Sequence, residues 1–188
     1  MLPKKQEERT TKRNNNMIKL LIIMLFICQA STDLKDKIYG DFDGDGKRET
    51  AYLDYNNIDA YTDYETHKDL YVTYIRFSKS SIPPIKVQDC VGGHLQNLGD
   101  LNGDKRDEIG LWFGWPTSFW HSYKSWMLKG RKWRQVTDPF TVHITLWDKY
   151  GFNFKPIKKI NNQKVRVYYS EWFNEDIACR KKVVRIKK

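Results

Sequence analysis

Residues 40–50 read GDFDGDGKRET and continue into AYLDY, a segment with the composition of a strand. A similar stretch, GDLNGDKRDEI, occupies residues 99–109 and continues into GLWF. Carboxylates on alternate residues around a glycine repel one another and have no packing role, so their recurrence at matching positions indicates a cation among them. The repeat predicts two copies of a unit in which an acidic loop opens a strand.

The rest of the chain after residue 30 also favours strands. Short runs rich in Tyr, Val, Ile, Thr and Trp recur there, bounded by Gly, Pro, Asn and Asp. We therefore expect an all-β protein with antiparallel, blade-like sheets, a partial propeller or sandwich carrying the two loops. The expected strands are Glu49–Tyr55, Leu70–Phe77, Ile85–Gln88, Glu108–Phe113, Ser122–Lys129, Lys132–Thr137, Val142–Leu146, Val165–Ser170 and Lys182–Ile186.

The first 30 residues have the pattern of a leader and signal peptide. A polar stretch to residue 16 precedes a short basic segment and the apolar run 20–27, which is too short for a transmembrane helix of about 20 apolar residues. Small residues suit cleavage after Ala30, which predicts a secreted or periplasmic protein without a transmembrane span. The alternative is a lipoprotein attached through Cys28.

Residues 31–188 have the length of one domain, and we expect a single β domain there. They carry 27 Lys or Arg against 21 Asp or Glu, a net charge of +6, and residues 180–188 alone hold six of the positive charges. Such a tail can bind an anionic surface, but lysines on a terminal strand also block edge pairing. The second explanation and the export signal argue against a nucleic-acid partner.

Beyond the leader the chain has two cysteines, Cys90 and Cys179. An even number of cysteines behind an export signal predicts a disulfide between them. Two unrelated buried thiols are the alternative.

The acidic loops offer oxygen ligands with a spacing that suits Ca²⁺, which takes six to eight oxygens. An EF-hand would need a carboxylate at position 12, where Tyr52 and Leu111 stand, so that class is excluded. A lysine at position 105 replaces the glycine of the first loop, and Asn102 replaces a carboxylate, which predicts weaker binding in the second. The candidate ligands are Asp41, Asp43, Asp45, the carbonyl of Lys47 and Glu49, then Asp100, Asn102, Asp104, the carbonyl of Arg106 and Glu108.

The loop pattern followed by a strand resembles the calcium loops of FG-GAP repeats, the units of the integrin α-subunit propeller and of many bacterial secreted proteins. In that family the side chains at positions 1, 3, 5 and 9 and the carbonyl at position 7 bind the ion, which matches the ten residues named above. The resemblance implies a calcium cofactor. This chain has Glu at position 9 where the family usually has Asp, and two repeats are too few for a seven-bladed propeller.

Aromatic residues are concentrated in one region, with six of the seven tryptophans in residues 112–147. Core packing accounts for most of them, whereas Trp115 and Trp120 flank a loop and are candidates for a ligand surface. We find no catalytic motif. The sequence thus predicts an exported calcium-binding module at the cell envelope, with a protein or glycan partner and no enzyme activity; an extracellular hydrolase with structural calcium is the alternative.

Overall fold

The computed structural model describes residues 37–58, 62–115, 118–151 and 153–187. The leader, its cleavage site and Cys28 lie outside these ranges. The described residues form twelve strands and one short helix. In chain order they are β1 Lys37–Gly40, β2 Glu49–Tyr55, β3 Val72–Phe77, β4 Ile85–Gln88, β5 Gly93–Gly99, β6 Glu108–Phe113, β7 Trp120–Lys129, β8 Lys132–Gln135, β9 Phe140–His143, α1 Thr145–Tyr150, β10 Ile157–Asn161, β11 Lys164–Phe173 and β12 Asp176–Arg185.

The strands form three antiparallel sheets. Sheet A has the order β1-β2-β3-β4, sheet B the order β5-β6-β7-β8, and sheet C the order β10-β11-β12. Strand β9 also belongs to sheet B, where it pairs with the first half of β7. The predicted all-β, blade-like fold is therefore confirmed.

Sheets A and B repeat the same unit over four strands. In both sheets the acidic loop joins the first strand to the second, and the glycine before the loop pairs with the glutamate that ends it. Gly40 is opposite Glu49 in sheet A, and Gly99 is opposite Glu108 in sheet B. The repeat seen in the sequence thus extends from a loop and one strand to a four-stranded meander.

Sheet B has apolar side chains buried on both faces. One core combines residues of sheets A and B, among them Ile75, Leu95 and Ile109. A second core combines the other face of sheet B with sheet C and α1, as Trp112 and Val165 show. All six residues of β6 are buried, and after Glu108 its sequence is apolar without alternation, as expected for a strand covered on both faces.

Most predicted strands occur, and β2, β4 and β6 have the predicted bounds. The turn predicted at Lys129–Lys132 joins β7 to β8, with Gly130 at φ 60°. The predicted strand over residues 142–146 is wrong in its second half, because the chain leaves β9 at His143 and forms α1. Strands β1, β5 and β10 were not expected.

The disulfide predicted between Cys90 and Cys179 is not formed, because the two cysteines belong to different cores. Cys90 is fully buried beside sheet A and donates its thiol hydrogen to the Gly92 carbonyl over 3.0 Å. Burial raises the pKa of this thiol to about 11. Cys179 lies on β12 opposite Ser170 and packs against the second core.

Among the described residues, no helix has the length and apolar character needed to cross a membrane.

Candidate metal centre

The backbone of loop 1, residues 41–49 with Glu49 as the first residue of β2, is folded by its own first aspartate. The Asp41 carboxylate accepts hydrogen bonds from the backbone N–H groups of Gly44 at 2.7 Å, Asp45 at 3.1 Å and Gly46 at 2.8 Å. Gly44 and Gly46 have φ of 79° and 84°, a conformation that glycine adopts without steric cost. The two glycines therefore let the chain wrap around one carboxylate.

The second and ninth positions attach loop 1 to the sheet. Phe42 is fully buried in the core between sheets A and B. Its N–H donates to Glu49 Oε2 over 3.0 Å, so the glutamate side chain is held under the loop. Because Glu49 is buried, desolvation raises its pKa, and the Asp43 charge adds to the effect.

Four carboxylates of loop 1 converge. One ligand oxygen from each of Asp41, Asp43, Asp45 and Glu49 can be chosen so that all lie within 4.8 Å of one another. Oxygens bound at 2.3–2.6 Å to one Ca²⁺ ion lie no more than about 5 Å apart, so this spread fits a single ion. The structure thus brings together the four predicted side-chain ligands of the first loop in a group that could hold a metal ion.

Lys79, a residue that the sequence did not suggest, lies at this cluster. Its Nζ is 2.5 Å from Asp43 Oδ2 and 2.6 Å from Asp45 Oδ2. The hydrogen bond from Lys79 lowers the pKa of Asp45, and the pair of aspartates, Asp43 first, raises the pKa of Lys79. The cluster therefore already pairs with a cationic group of the chain, which shows that its geometry suits a positive charge.

Loop 2, residues 100–108 with Glu108 as the first residue of β6, has a similar backbone arrangement. Asp100 accepts from the N–H groups of Gly103 at 2.5 Å and Lys105 at 3.0 Å, as Asp41 does from Gly44 and Gly46. Lys105 has a φ of 69°, close to that of the glycine at the same position in loop 1. A non-glycine residue therefore occupies the left-handed region at this bend, a conformation that is less favourable for it than for glycine.

The side chains of loop 2 meet different partners. Asn102 Nδ2 donates to Glu108 Oε1 over 3.0 Å, so an amide hydrogen points at the glutamate that a metal ion would need. Glu108 is fully buried, and burial raises its pKa to about 8. In the described chain, Asp100, Asp104 and Glu108 do not form a second group with the close oxygen spacing of loop 1.

Lys47 and Arg106, whose carbonyl groups are predicted metal ligands, make equivalent backbone hydrogen bonds in the two loops. Lys47 N–H donates to Asp45 Oδ1 over 2.8 Å, and Arg106 N–H donates to Asp104 Oδ1 over 3.0 Å. The backbone at this position is thus held in the same way in both loops.

Asp107 connects the two loops and was also missed from the sequence. Its N–H donates to the Asp41 carbonyl over 2.7 Å, and its Oδ2 accepts from the Asp41 N–H over 3.2 Å. The same oxygen accepts from Asn97 Nδ2 at 2.8 Å. Loop 2 therefore holds the first residue of loop 1 in place, although no local sequence signal marks a contact across 66 residues.

The two tryptophans predicted as a ligand surface pack against different neighbours. Trp115 contacts the rings of Tyr64 and Tyr71, with centroids at 5.4 and 5.2 Å. Trp120 packs against the His143 ring at 4.9 Å and the Trp172 ring at 6.3 Å. Trp172 is 69% exposed, so the second group presents an aromatic surface to solvent.

Searches for similar proteins gave no matching family model, no curated protein and no solved structure.

Proposed function

We propose that the protein is a calcium-binding β module of the FG-GAP type, exported to the cell envelope or beyond, and that loop 1 is its principal calcium site. The observation that carries the proposal is the convergence of the Asp41, Asp43, Asp45 and Glu49 oxygens within 4.8 Å of one another. The Lys47 carbonyl would complete the set of protein ligands. An export role rests on the leader pattern of residues 1–30.

The donor set favours calcium among biological metals. All the ligands are oxygens, which suits hard cations and disfavours zinc and copper, whose usual ligands include nitrogen or sulfur. A loop with glycines at two positions can adjust to the irregular coordination of Ca²⁺, whereas Mg²⁺ demands a near-octahedral site and retains its water. In this role the ion joins the loop to strand β2 and stabilises the fold.

The module would act by binding a partner at the cell surface. The aromatic group of Trp120 and Trp172, with Phe119 69% exposed beside the same His143 ring, supports a protein or glycan as that partner. Aromatic rings with one face open to solvent stack on sugar rings and anchor protein interfaces.

Thermal unfolding with and without calcium tests the proposal. A ligand that binds only the folded state at 100 times its Kd stabilises it by about 2.7 kcal/mol, which for a chain of this length raises Tm by about 5–10 °C. We expect this increase for the wild type in millimolar calcium relative to excess chelator. The Asp43→Ala, Asp45→Ala double variant should lose most of it.

The matched control is the Asp100→Ala, Asp104→Ala double variant, which removes two carboxylates from loop 2 and should keep most of the calcium-dependent increase. Identical melting of the wild type in calcium and in chelator would refute the calcium site.

A further inference from the structure

The ammonium group of Lys79 lies on the carboxylates that a metal ion in loop 1 would use. Lys79 belongs to the turn after β3, and its Nζ is 2.5 Å from Asp43 and 2.6 Å from Asp45. Both contacts are made to the Oδ2 atoms. The Oδ1 atoms of these aspartates accept backbone hydrogen bonds from Asp45 and Lys47 inside the loop, at 3.3 and 2.8 Å.

Each of the two aspartates therefore has one oxygen, Oδ2, that is directed away from the loop backbone. For Asp43 and Asp45, Oδ2 is the oxygen without a backbone hydrogen bond, so it is the more available ligand for a metal ion. Those are the atoms that Lys79 occupies. The ammonium group and the ion therefore cannot both bind them at contact distance, because two cations at one pair of oxygens repel each other.

The sheet fixes the backbone from which Lys79 reaches the loop. Thr50 N–H donates to Ser78 Oγ over 3.0 Å, and Ser78 N–H donates to the Thr50 carbonyl over 2.9 Å. On the other side, Ile82 N–H donates to the Lys79 carbonyl over 3.1 Å, and the Ile82 side chain is buried. A group tethered in this way has a high effective concentration at its target.

Among the described residues, no lysine pairs with the carboxylates of loop 2 in this way. Lys159 reaches that loop, but its Nζ donates to the backbone carbonyl of Asp100, over 2.8 Å. Asn102 supplies an amide to Glu108 instead. The tethered ammonium is therefore a feature of loop 1, where the carboxylates converge.

We propose that Lys79 is a built-in competitor of calcium at loop 1. The inference rests on the calcium function proposed above and adds the regulation of that site. Without calcium, Lys79 neutralises part of the charge and keeps the loop folded; calcium must displace the ammonium group to bind. Competition by a tethered cation weakens the apparent affinity of loop 1 for calcium. The site therefore binds calcium at the high concentrations found outside cells, whereas at low concentrations Lys79 occupies it.

The test compares Lys79→Met with the wild type by calorimetric titration of calcium and by thermal unfolding. Methionine keeps much of the side-chain length and removes the charge. We expect calcium to bind Lys79→Met roughly three- to tenfold more tightly. In chelator the variant should melt below the wild type, and saturating calcium should raise its Tm by more than it raises that of the wild type.

Two controls separate competition from other effects. Lys79→Arg keeps a cation and should bind calcium as the wild type does. Lys86→Met removes the same charge from an exposed position on the neighbouring strand β4 and should change neither measurement. A Lys79→Met variant that binds calcium no more tightly than the wild type overturns the competitor role and leaves the calcium site standing. If neither protein binds calcium, the proposed function itself fails.

Discussion

Loops 1 and 2 join the first two strands of their sheets at the same register, and the first aspartate of each accepts hydrogen bonds from the N–H groups at positions 4 and 6 of its loop. They differ in what surrounds the ninth residue. Glu49 faces three aspartates and a lysine from another turn, whereas Glu108 accepts the Asn102 amide at 3.0 Å. The same sequence pattern thus gives a cluster that suits a cation in loop 1 and a turn stabilised by hydrogen bonds around a buried glutamate in loop 2.

The two loops also have different surroundings in the fold. Loop 1 belongs to sheet A, whose core is on one side, and its charged side chains face solvent or Lys79. Loop 2 belongs to sheet B, which is covered on both faces, and Lys159 of sheet C reaches its backbone. Excess carboxylate charge is costly beside the fully buried Glu108, and an asparagine at position 102 lowers the charge there. The side chains at positions 1, 3 and 5 are comparably exposed in the two loops, so the identity of residue 102 and the partners of the glutamate distinguish the two copies.

The largest expected effect is the difference in stability lost when Glu49 or Glu108 is replaced by alanine. Glu108 satisfies two donors, the Leu101 N–H and the Asn102 amide, while Glu49 satisfies one backbone donor, the Phe42 N–H. Each buried donor left without an acceptor costs about 1–3 kcal/mol. In chelator we expect Glu108→Ala to lower the free energy of unfolding by about 3 kcal/mol and Glu49→Ala by about 1.5 kcal/mol, measured by urea denaturation. Equal losses would mean that the two glutamates have the same structural role.

Much of this fold could be predicted because its strands are marked locally. The apolar run of β6 and the alternation of β2 gave correct bounds. Strand β5 could not be predicted, since GHLQNLG is polar and has glycine at both ends. It becomes a strand by pairing with β6, a tertiary effect that outweighs local propensity.

The candidate site also has one part that could be predicted from the sequence and one part that could not. The four carboxylates of loop 1 lie within nine residues, so their spacing alone predicted that they would meet. Lys79 and Asp107 reach the loop across 34 and 66 residues, through strand pairing that no single segment encodes. The two free cysteines illustrate the opposite error: an even count predicted a bond, but the layers of the fold separate Cys90 from Cys179.

An intermediate effect is expected from restoring the missing carboxylate of loop 2. Asn102→Asp removes the amide donor to Glu108 and adds a charge beside it, so in chelator the variant should be less stable by about 1–2 kcal/mol. Calcium should offset this loss, giving a larger calcium-dependent rise in Tm than in the wild type. Asn102→Ala, which removes the amide without adding a ligand, is the control and should show the loss without the calcium rescue. A rescue of both variants, or of neither, would show that position 102 does not set the difference between the loops.

The smallest expected change in stability is at the bend that each loop makes at its sixth position. Lys105 and Gly46 occupy the same place with φ of 69° and 84°. A Cβ at Gly46 would meet no atom of the described residues within 4 Å, so we expect backbone strain, not a side-chain clash, to determine the effect of an exchange. Replacing Lys105 with glycine removes that strain from the folded state, but glycine also has more conformational freedom in the unfolded chain, which offsets part of the gain in stability. We expect Lys105→Gly to raise the free energy of unfolding by about 0.5 kcal/mol in chelator, and the reverse exchange, Gly46→Lys, to lower it by about 1 kcal/mol. Urea denaturation of the two single variants measures both. If the exchanges change stability in the same direction, the bends are not equivalent and the two loops differ in backbone as well as in side-chain partners.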